Sequence, residues 1–510
     1  MAGRPRTSGE LRASGYTDES VKDELRRNVM DQLAKGRTLF PGIIGYDDTV
    51  VPQLVNALLA RHDIILLGLR GQAKTRLVRS FAQFLDPEIP VILGSEVNDH
   101  PYHPISKYGV DMVRGQGDDT PIEWIPRDAR YGEKLATPDV TIADLIGDID
   151  PIKAAAQRLH YAHEGVIHFG IIPRMNRGIF AINELPDLQP RIQVGLLNIM
   201  EEKDIQIRGF PVRIPLDVQM VFTANPEDYT NRGNIITPLK DRIGSQVITH
   251  YPRTLEEGIA ITEQEAWVER EDGIKVRIPR LFRQLIEQTA VEARQSEYVD
   301  QRSGVSARMT ISCTEDLVST VERRALLNGQ RGDVQPRICD LHALAPAITG
   351  RLELVYEGER EGPQKVAASM ISRAAHTIFE RYFPAPSKSR GSKAGVGGVA
   401  DEGRGADGGG RLYADIVAWF DAGNTLSLSD RMPREEYERV LKQVPGLRRV
   451  AERAGGDLLG DTDLYAVMEF VLEGLHAHSQ LSKDRLAEGH AVYRDLMSEI
   501  LSRDDDTRKR

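Results

Sequence analysis

Apolar positions along the chain switch between two periods. They recur at helical spacing from Val21 to Ala34, and again across Val51, Leu54, Val55, Leu58 and Leu59, with Asp48 placed to cap the second stretch. Ile64-Ile65-Leu66-Leu67 is a short continuous apolar run, as expected of a strand buried on both faces. A glycine turn follows it. Leu77, Val78, Phe81, Phe84 and Leu85 then share one helical face, which Pro87 closes. Val91-Ile92-Leu93, Ile179-Phe180-Ala181-Ile182, Met220-Val221-Phe222 and Val247-Ile248-Thr249 read as further buried strands. Strands alternating with helices predict a parallel α/β sheet through about residue 250.

Residues 254–383 lose the strand signal and read as helical. Thr254-x-x-Glu257 and Ser312-x-x-Glu315 have the form of capping boxes. Positions 391–410 hold nine glycines in twenty residues, a composition that cannot bury enough apolar surface to offset its chain entropy. Beyond it, 412–501 reads as helical again, with Ile416, Val417, Trp419 and Phe420 on one side. The expected organisation is a loose tail and helix at 1–35, an α/β core at 36–252 and a helical segment at 253–385. A glycine-rich linker at 386–411, a helical domain at 412–502 and a charged tail at 503–510 complete it.

Composition narrows the function classes. A chain of 510 residues has material for two to four domains. Lys+Arg 66 against Asp+Glu 76 gives a net charge of −10, which disfavours a general nucleic-acid or anionic-membrane binder. Two cysteines, Cys313 and Cys339, make no disulfide framework and read as buried free thiols of a reducing compartment. The first twelve residues lack the apolar stretch of a secretory signal, and no run approaches the ~20 apolar residues of a membrane span. The expected location is the cytoplasm.

The chemistry concentrates in one turn. Gly68-Leu69-Arg70-Gly71-Gln72-Ala73-Lys74-Thr75 joins the first buried strand to an amphipathic helix, the context a phosphate-binding loop requires. Lys74 would reach the β- and γ-phosphates of ATP, and the Thr75 hydroxyl would ligate Mg²⁺. Ala73 replaces the usual glycine, and is tolerated if its φ stays negative. The strand Gly178-Ile179-Phe180-Ala181-Ile182 ends in Asn183-Glu184, where a Walker B pair would lie. Glu184 is the candidate base for the attacking water, while Asn183 brings no negative charge to the metal. Asn225, in Thr223-Ala224-Asn225-Pro226, is placed to orient that water. Arg242, in Pro238-Leu239-Lys240-Asp241-Arg242-Ile243, and Arg308, in Gly304-Val305-Ser306-Ala307-Arg308, are candidate guanidinium donors to the γ-phosphate. Arg242 would act from a neighbouring subunit.

Together these elements resemble the AAA+ ATPases, in particular the magnesium-chelatase ATPase-subunit and MoxR-like branch. Phe40-Pro41-Gly42-Ile43-Ile44-Gly45 resembles the segment flanking the adenine, which makes Ile43 and Ile44 nucleotide-binding candidates beside Gly68 to Thr75 and Arg76. Arg174-Met175-Asn176-Arg177-Gly178 and Leu145-Ile146-Gly147-Asp148-Ile149-Asp150 look chelatase-like. Leu196-Leu197-Asn198-Ile199-Met200-Glu201-Glu202, with a hairpin from Ile205 to Ile214, looks MoxR-like. The resemblance covers about residues 36–350. It implies a parallel five-stranded P-loop core sandwiched by helices, a helical lid, a six-membered ring and a von Willebrand A-domain partner. The function it implies is ATP-driven remodelling of a partner protein, or metal insertion by one. Two alternatives stand beside it: a nucleotide-gated assembly module slowed by Asn183, and a DNA-acting regulator.

Three weaker groupings remain. His100 and His103, and His160, His163 and His168, match no zinc module and read as loop or packing histidines. Arg448, Arg449 and Arg453 read as a solvated helix face.

Overall fold

The computed structural model describes residues 4–150, 152, 164–207, 213–226, 234–270, 273–386, 412–454, 456–487 and 490–496. The chain divides into two compact units, Met1–Tyr251 and Pro252–Arg510. His160, His163, most of the glycine-rich stretch and the charged tail lie outside the described residues.

In the first unit, five strands form one sheet: β1 (Ile64–Leu67), β2 (Tyr131–Leu135), β3 (Gly178–Asn183), β4 (Val218–Ala224) and β5 (Ser245–Ile248). Their order is β5-β1-β4-β3-β2, and every pairing is parallel. β1 sits between β4 and β5, so all four of its residues are buried. Alternation does the rest. Ile65 and Leu67 join Phe180, Ile182, Met220 and Phe222 in one core, while Ile64 and Leu66 join Ile179, Ala181, Val221 and Val247 in the other. Helices α1 (Val21–Ala34), α2 (Val50–Leu59) and α3 (Lys74–Ser80) contribute to the second core. α4 (Pro190–Glu201) contributes Ile192, Leu196 and Ile199 to the first. The parallel sheet with helices on both faces is the predicted fold class.

Several local expectations are corrected. Val91 and Ile92 do form a strand, Glu88–Ile92, but it pairs antiparallel with Ile122–Pro126 outside the main sheet. The edge place belongs to β2, whose half-buried Tyr-Gly-Glu-Lys-Leu carries no apolar run to announce it. Thr49, not Asp48, occupies the N-cap of α2, with no side-chain hydrogen bond. The N-terminal tail is not loose from residue 4 onward. Ser8–Ala13 is a helix with Leu11 fully buried, Trp124 donates its indole N–H to the Pro5 carbonyl at 3.0 Å, and Arg4 stacks over that ring. The Ile205-to-Ile214 hairpin is present at its base, where those two residues pair antiparallel.

Beneath the sheet, Arg130 is held bidentately by Glu24 of α1 at 2.8 and 2.6 Å, and it donates to the Arg177 carbonyl at 2.8 Å. Both side chains are almost fully buried. Such a pair fixes geometry more than it adds stability, because desolvation offsets most of the attraction.

The second unit is mainly helical: α5 (Leu255–Glu265), α6 (Arg280–Gln295), α7 (Arg308–Leu327), α8 (Pro363–Tyr382) and α9 (Leu464–Ala477) are its longer elements. Thr254 and Glu257 form the expected capping box on α5. Ser312 caps nothing, because α7 already begins at Arg308 and runs through it. Neither part of this unit is wholly helical: before the glycine-rich stretch Ile274–Val276 pairs in parallel with Gly332–Val334, and strands form beyond residue 411 as well. β6 (Leu426–Ser429), β7 (Leu481–Ala487) and β8 (His490–Asp495) make an antiparallel sheet in the order β6-β8-β7. One hydrophobic core takes in residues from both sides of the glycine-rich stretch, including Phe379, Phe383, Phe420 and Phe470. Cys313 and Cys339 are buried free thiols, as expected.

Candidate functional site

Adjacent carboxyl ends of β1, β4 and β3 bring the loop lysine and the strand-end polar residues together. The loop after β1 needs glycine at its first position. A Cβ on Gly68 would lie 1.8 Å from Thr249 Oγ1 and 2.2 Å from Gln72 Oε1. Its backbone then turns left-handed at Gly71 (φ 73°) and at Ala73 (φ 55°). Alternating handedness of this kind aims successive N–H groups inward and makes an anion-binding concavity. The expectation of a negative φ at Ala73 is therefore wrong. The turn demands the left-handed conformation there, and alanine accepts it at a cost.

Three aromatic and hydroxyl groups that no loop motif contains hold this turn. The Tyr46 hydroxyl lies 3.0 Å from the Gln72 carbonyl and 2.8 Å from the His250 carbonyl. Burial pushes its pKa up to about 12, so it stays a proton donor. Tyr251 donates to the Arg70 carbonyl at 3.0 Å, and Thr249 to the Gln72 side chain at 2.7 Å. Their separation in sequence, 26 residues for the Tyr46–Gln72 contact and 177 for the Thr249–Gln72 bond, leaves no local signal.

Lys74 is 7% exposed. Its ammonium donates to the Gly68 carbonyl, to the Leu69 carbonyl at 3.1 Å and to Asn225 Oδ1 at 2.6 Å. The Asn225 amide nitrogen donates to Glu184 Oε2 at 3.0 Å. One side chain after β4 thus joins the loop cation to the carboxylate after β3. The Glu184 backbone is left-handed (φ 56°) and its N–H donates to Thr223 Oγ1 at 3.1 Å. The same hydroxyl donates to Asn183 Oδ1 at 3.3 Å. Lys74, Asn225, Glu184, Thr223 and Asn183 therefore form one connected polar group over three neighbouring strand ends.

Other candidates stand apart from this group. Leu69 is half-buried, while Arg70, Gly71, Ala73, Thr75 and Arg76 are exposed. Ile43 is buried in the core with Phe40 and Tyr46, and Ile44 is half-buried. Arg242 ends a short helix, Thr237–Arg242, and is paired with Glu201 of α4, its Nε 2.7 Å from Oε2. Arg308 belongs to the second unit and is exposed at the first residue of α7. His100 is a packing histidine. It is buried, stacks on Tyr16 and lies 3.2 Å from Asp18, and burial lowers its pKa to about 3.

The donor set suits a nucleotide with a hard cation: a cradle of backbone N–H groups, a buried ammonium, an exposed hydroxyl and amide and carboxylate oxygens. No helix among the described residues is long and apolar enough to cross a membrane.

No family model matches the chain. The hydrogenase transcriptional regulatory protein HoxA of Cupriavidus necator is 31% identical over 87 residues, 17% of this chain and 18% of that protein. The chain thus spans less than a fifth of that relative. Among solved structures, the complex between subunits BchI and BchD of magnesium chelatase, from a cryo-EM reconstruction, aligns over 63% of this chain and 98% of its own, at 20% identity and TM-score 0.34. NtrX from Brucella abortus aligns over 57% of this chain and 55% of its own, at 14% identity and TM-score 0.32. Likenesses this distant carry no argument about activity, which rests on the site itself.

Proposed function

We propose that the chain is an ATP-hydrolysing AAA+ protein of the magnesium-chelatase and MoxR-like kind, assembling as a homo-oligomeric ring that remodels or activates a partner protein. The observation that carries this reading is the Lys74–Asn225–Glu184 chain across the ends of β1, β4 and β3. A cation for the phosphates and a carboxylate for the water are already tied together by one amide, so a γ-phosphate drawing Lys74 away would also move Asn225 relative to Glu184.

In this reading the loop N–H groups hold the phosphates and Lys74 contacts the γ-phosphoryl oxygens. Thr75 and Asn183 are the residues that would hold Mg²⁺, whose charge neutralises the β- and γ-oxygens when it is bound. Glu184 accepts a proton from water as its oxygen attacks the γ-phosphorus and the bond to the β-phosphate oxygen breaks. Asn225 fixes the water beside Glu184. Arg242 and Arg308 supply charge to the transition state, Arg242 from an adjoining subunit once it leaves Glu201. Ile43 and Ile44 flank the adenine. A six-membered ring, a von Willebrand A-domain partner, a chaperone-like or metal-insertion role and a cytoplasmic location follow from the family resemblance alone.

Two variants test the site. Lys74→Ala is expected to lose ATP binding, measured by equilibrium titration. Glu184→Gln is expected to keep binding and lose steady-state turnover. Unchanged affinity in the first, or near-native turnover in the second, refutes the assignment. A slower, nucleotide-gated assembly module is the second reading. It is favoured by Asn183, a neutral amide whose oxygen is engaged by Thr223. A DNA-acting regulator is the third, opposed by the net charge of −10; DNA binding that falls with salt would support it.

A further inference from the structure

The second unit contains a group of side chains with a different chemistry. His376 and Glu380 lie one turn apart on α8, and His478 is the residue that caps α9. The helices meet closely there. A Cβ on Gly474 of α9 would lie 2.0 Å from a ring carbon of Phe379, so only glycine admits this approach. Phe379 in turn packs on Phe470 and beside His478, with ring centroids 5.9 and 5.5 Å away. Aromatic packing thus fixes the two helix ends against each other. The His376 and His478 rings are stacked, with centroids 4.1 Å apart and planes 25° from parallel.

One ligand atom from each of the three residues lies within 4.8 Å of the other two. His478 Nε2 is 4.0 Å from Glu380 Oε1, too far for a hydrogen bond, and this buried nitrogen has no hydrogen-bond partner among the described residues. Two imidazoles and one carboxylate form a donor set that zinc-like cations bind. Ligand bonds of 2.0–2.1 Å in a tetrahedron put donor atoms about 3.3 Å apart, so the group closes when one imidazole turns out of the stack to aim its in-plane lone pair at the same point as the other.

We propose that His376, Glu380 and His478 form a site for a transition-metal dication of the Zn²⁺ type, with its fourth position open to water beside the exposed Glu380. Its ligands come from either side of the 387–411 stretch, so the ion ties α8 to α9 and holds the two parts of the second unit together. Among the described residues this is the one such group of three. The Asp18, His100 and His103 grouping is not a second one, although His100 Nε2 is likewise buried without a hydrogen-bond partner.

The test uses the full chain, stripped with chelator and titrated with Co²⁺ alone. The expected result is one equivalent of Co²⁺ with visible d–d absorption, displaced by Zn²⁺, and a higher unfolding temperature with metal than without. His376→Ala and His478→Ala should abolish the absorption. Glu380→Gln, at an exposed position that does not threaten the fold, should weaken binding at least tenfold with unchanged far-UV circular dichroism. Lys74→Ala should leave the signal intact, which separates this site from the phosphate loop. Absence of the absorption in the native chain, or equal affinity in Glu380→Gln, overturns the proposal and leaves a stacked histidine pair beside a carboxylate.

Discussion

Ala73→Gly is the substitution whose sign depends most directly on the observed backbone. Ala73 sits at φ 55°, ψ 16°, immediately before α3. Holding an L-residue in the left-handed region costs roughly 1–2 kcal/mol, which glycine does not incur. Against this, glycine loosens the unfolded chain and gives back about 0.4–1 kcal/mol. The balance favours the variant by about 0.5–1 kcal/mol. With a urea dependence of about 2 kcal/mol per molar, the midpoint should rise by about 0.3–0.5 M. Trp124 reports the first unit if Trp267 and Trp419 are replaced by Phe in both proteins, so the transition can be followed by fluorescence without the second unit's contribution. Ala73→Val should shift the midpoint the other way, since a β-branched side chain suits this conformation even less. An ordinary helical φ at Ala73 would make Ala73→Gly destabilising by about 1 kcal/mol. A lowered midpoint in the glycine variant would therefore refute both the left-handed turn and the reasoning built on it.

Asn183→Asp should raise the ATPase rate at saturating Mg²⁺, because a carboxylate places the cation better. With Mg²⁺ withheld it should instead depress nucleotide affinity, through repulsion of Glu184; a rate unchanged at all Mg²⁺ concentrations would exclude Asn183 from the metal shell. Mixing Arg242→Ala with Glu184→Gln subunits should restore part of the activity, and a mixture no better than its components would count against a shared site. The third concerns pH. Burial alone would raise the Glu473 carboxyl, but Lys483 at 2.5 Å, His476 and the Tyr493 hydroxyl outweigh it and hold the pKa at about 2, against an ordinary 4.5. A depressed acid stabilises the fold above its unfolded pKa, so this contribution is present above pH 4.5 and lost as pH falls through about 2. At about 1.4 kcal/mol per pH unit of displacement, it amounts to at most about 3–4 kcal/mol. Glu473→Gln should lower stability at pH 7 and flatten the acid limb of a urea-midpoint profile; an acid limb as steep as the native one would disprove the coupling.

Local sequence determined the class of the first unit and marked the residues of its candidate site. Ile64 to Leu67 is apolar at every position, as a strand covered on both faces requires, and a glycine turn with Lys74 after such a strand has few uses besides phosphate. Asn183, Glu184 and Asn225 were legible for the same reason, as polar residues closing apolar strands. Thr254 and Glu257 marked the start of α5 because a capping box is a short-range interaction. Tertiary structure decided what depends on distant partners. β2 carries no run of apolar residues because an edge strand is only half covered, and its place in the sheet comes from pairing with β3. Tyr46, Thr249 and Tyr251 hold the loop from positions that no spacing rule connects to it. The sign of φ at Ala73 follows from the path the chain must take between β1 and α3, and alanine's identity is silent on it. His376, Glu380 and His478 belong to the same category: an i,i+4 pair on one helix is commonplace, and only the close approach of α8 and α9 at Gly474 brings the third donor within reach.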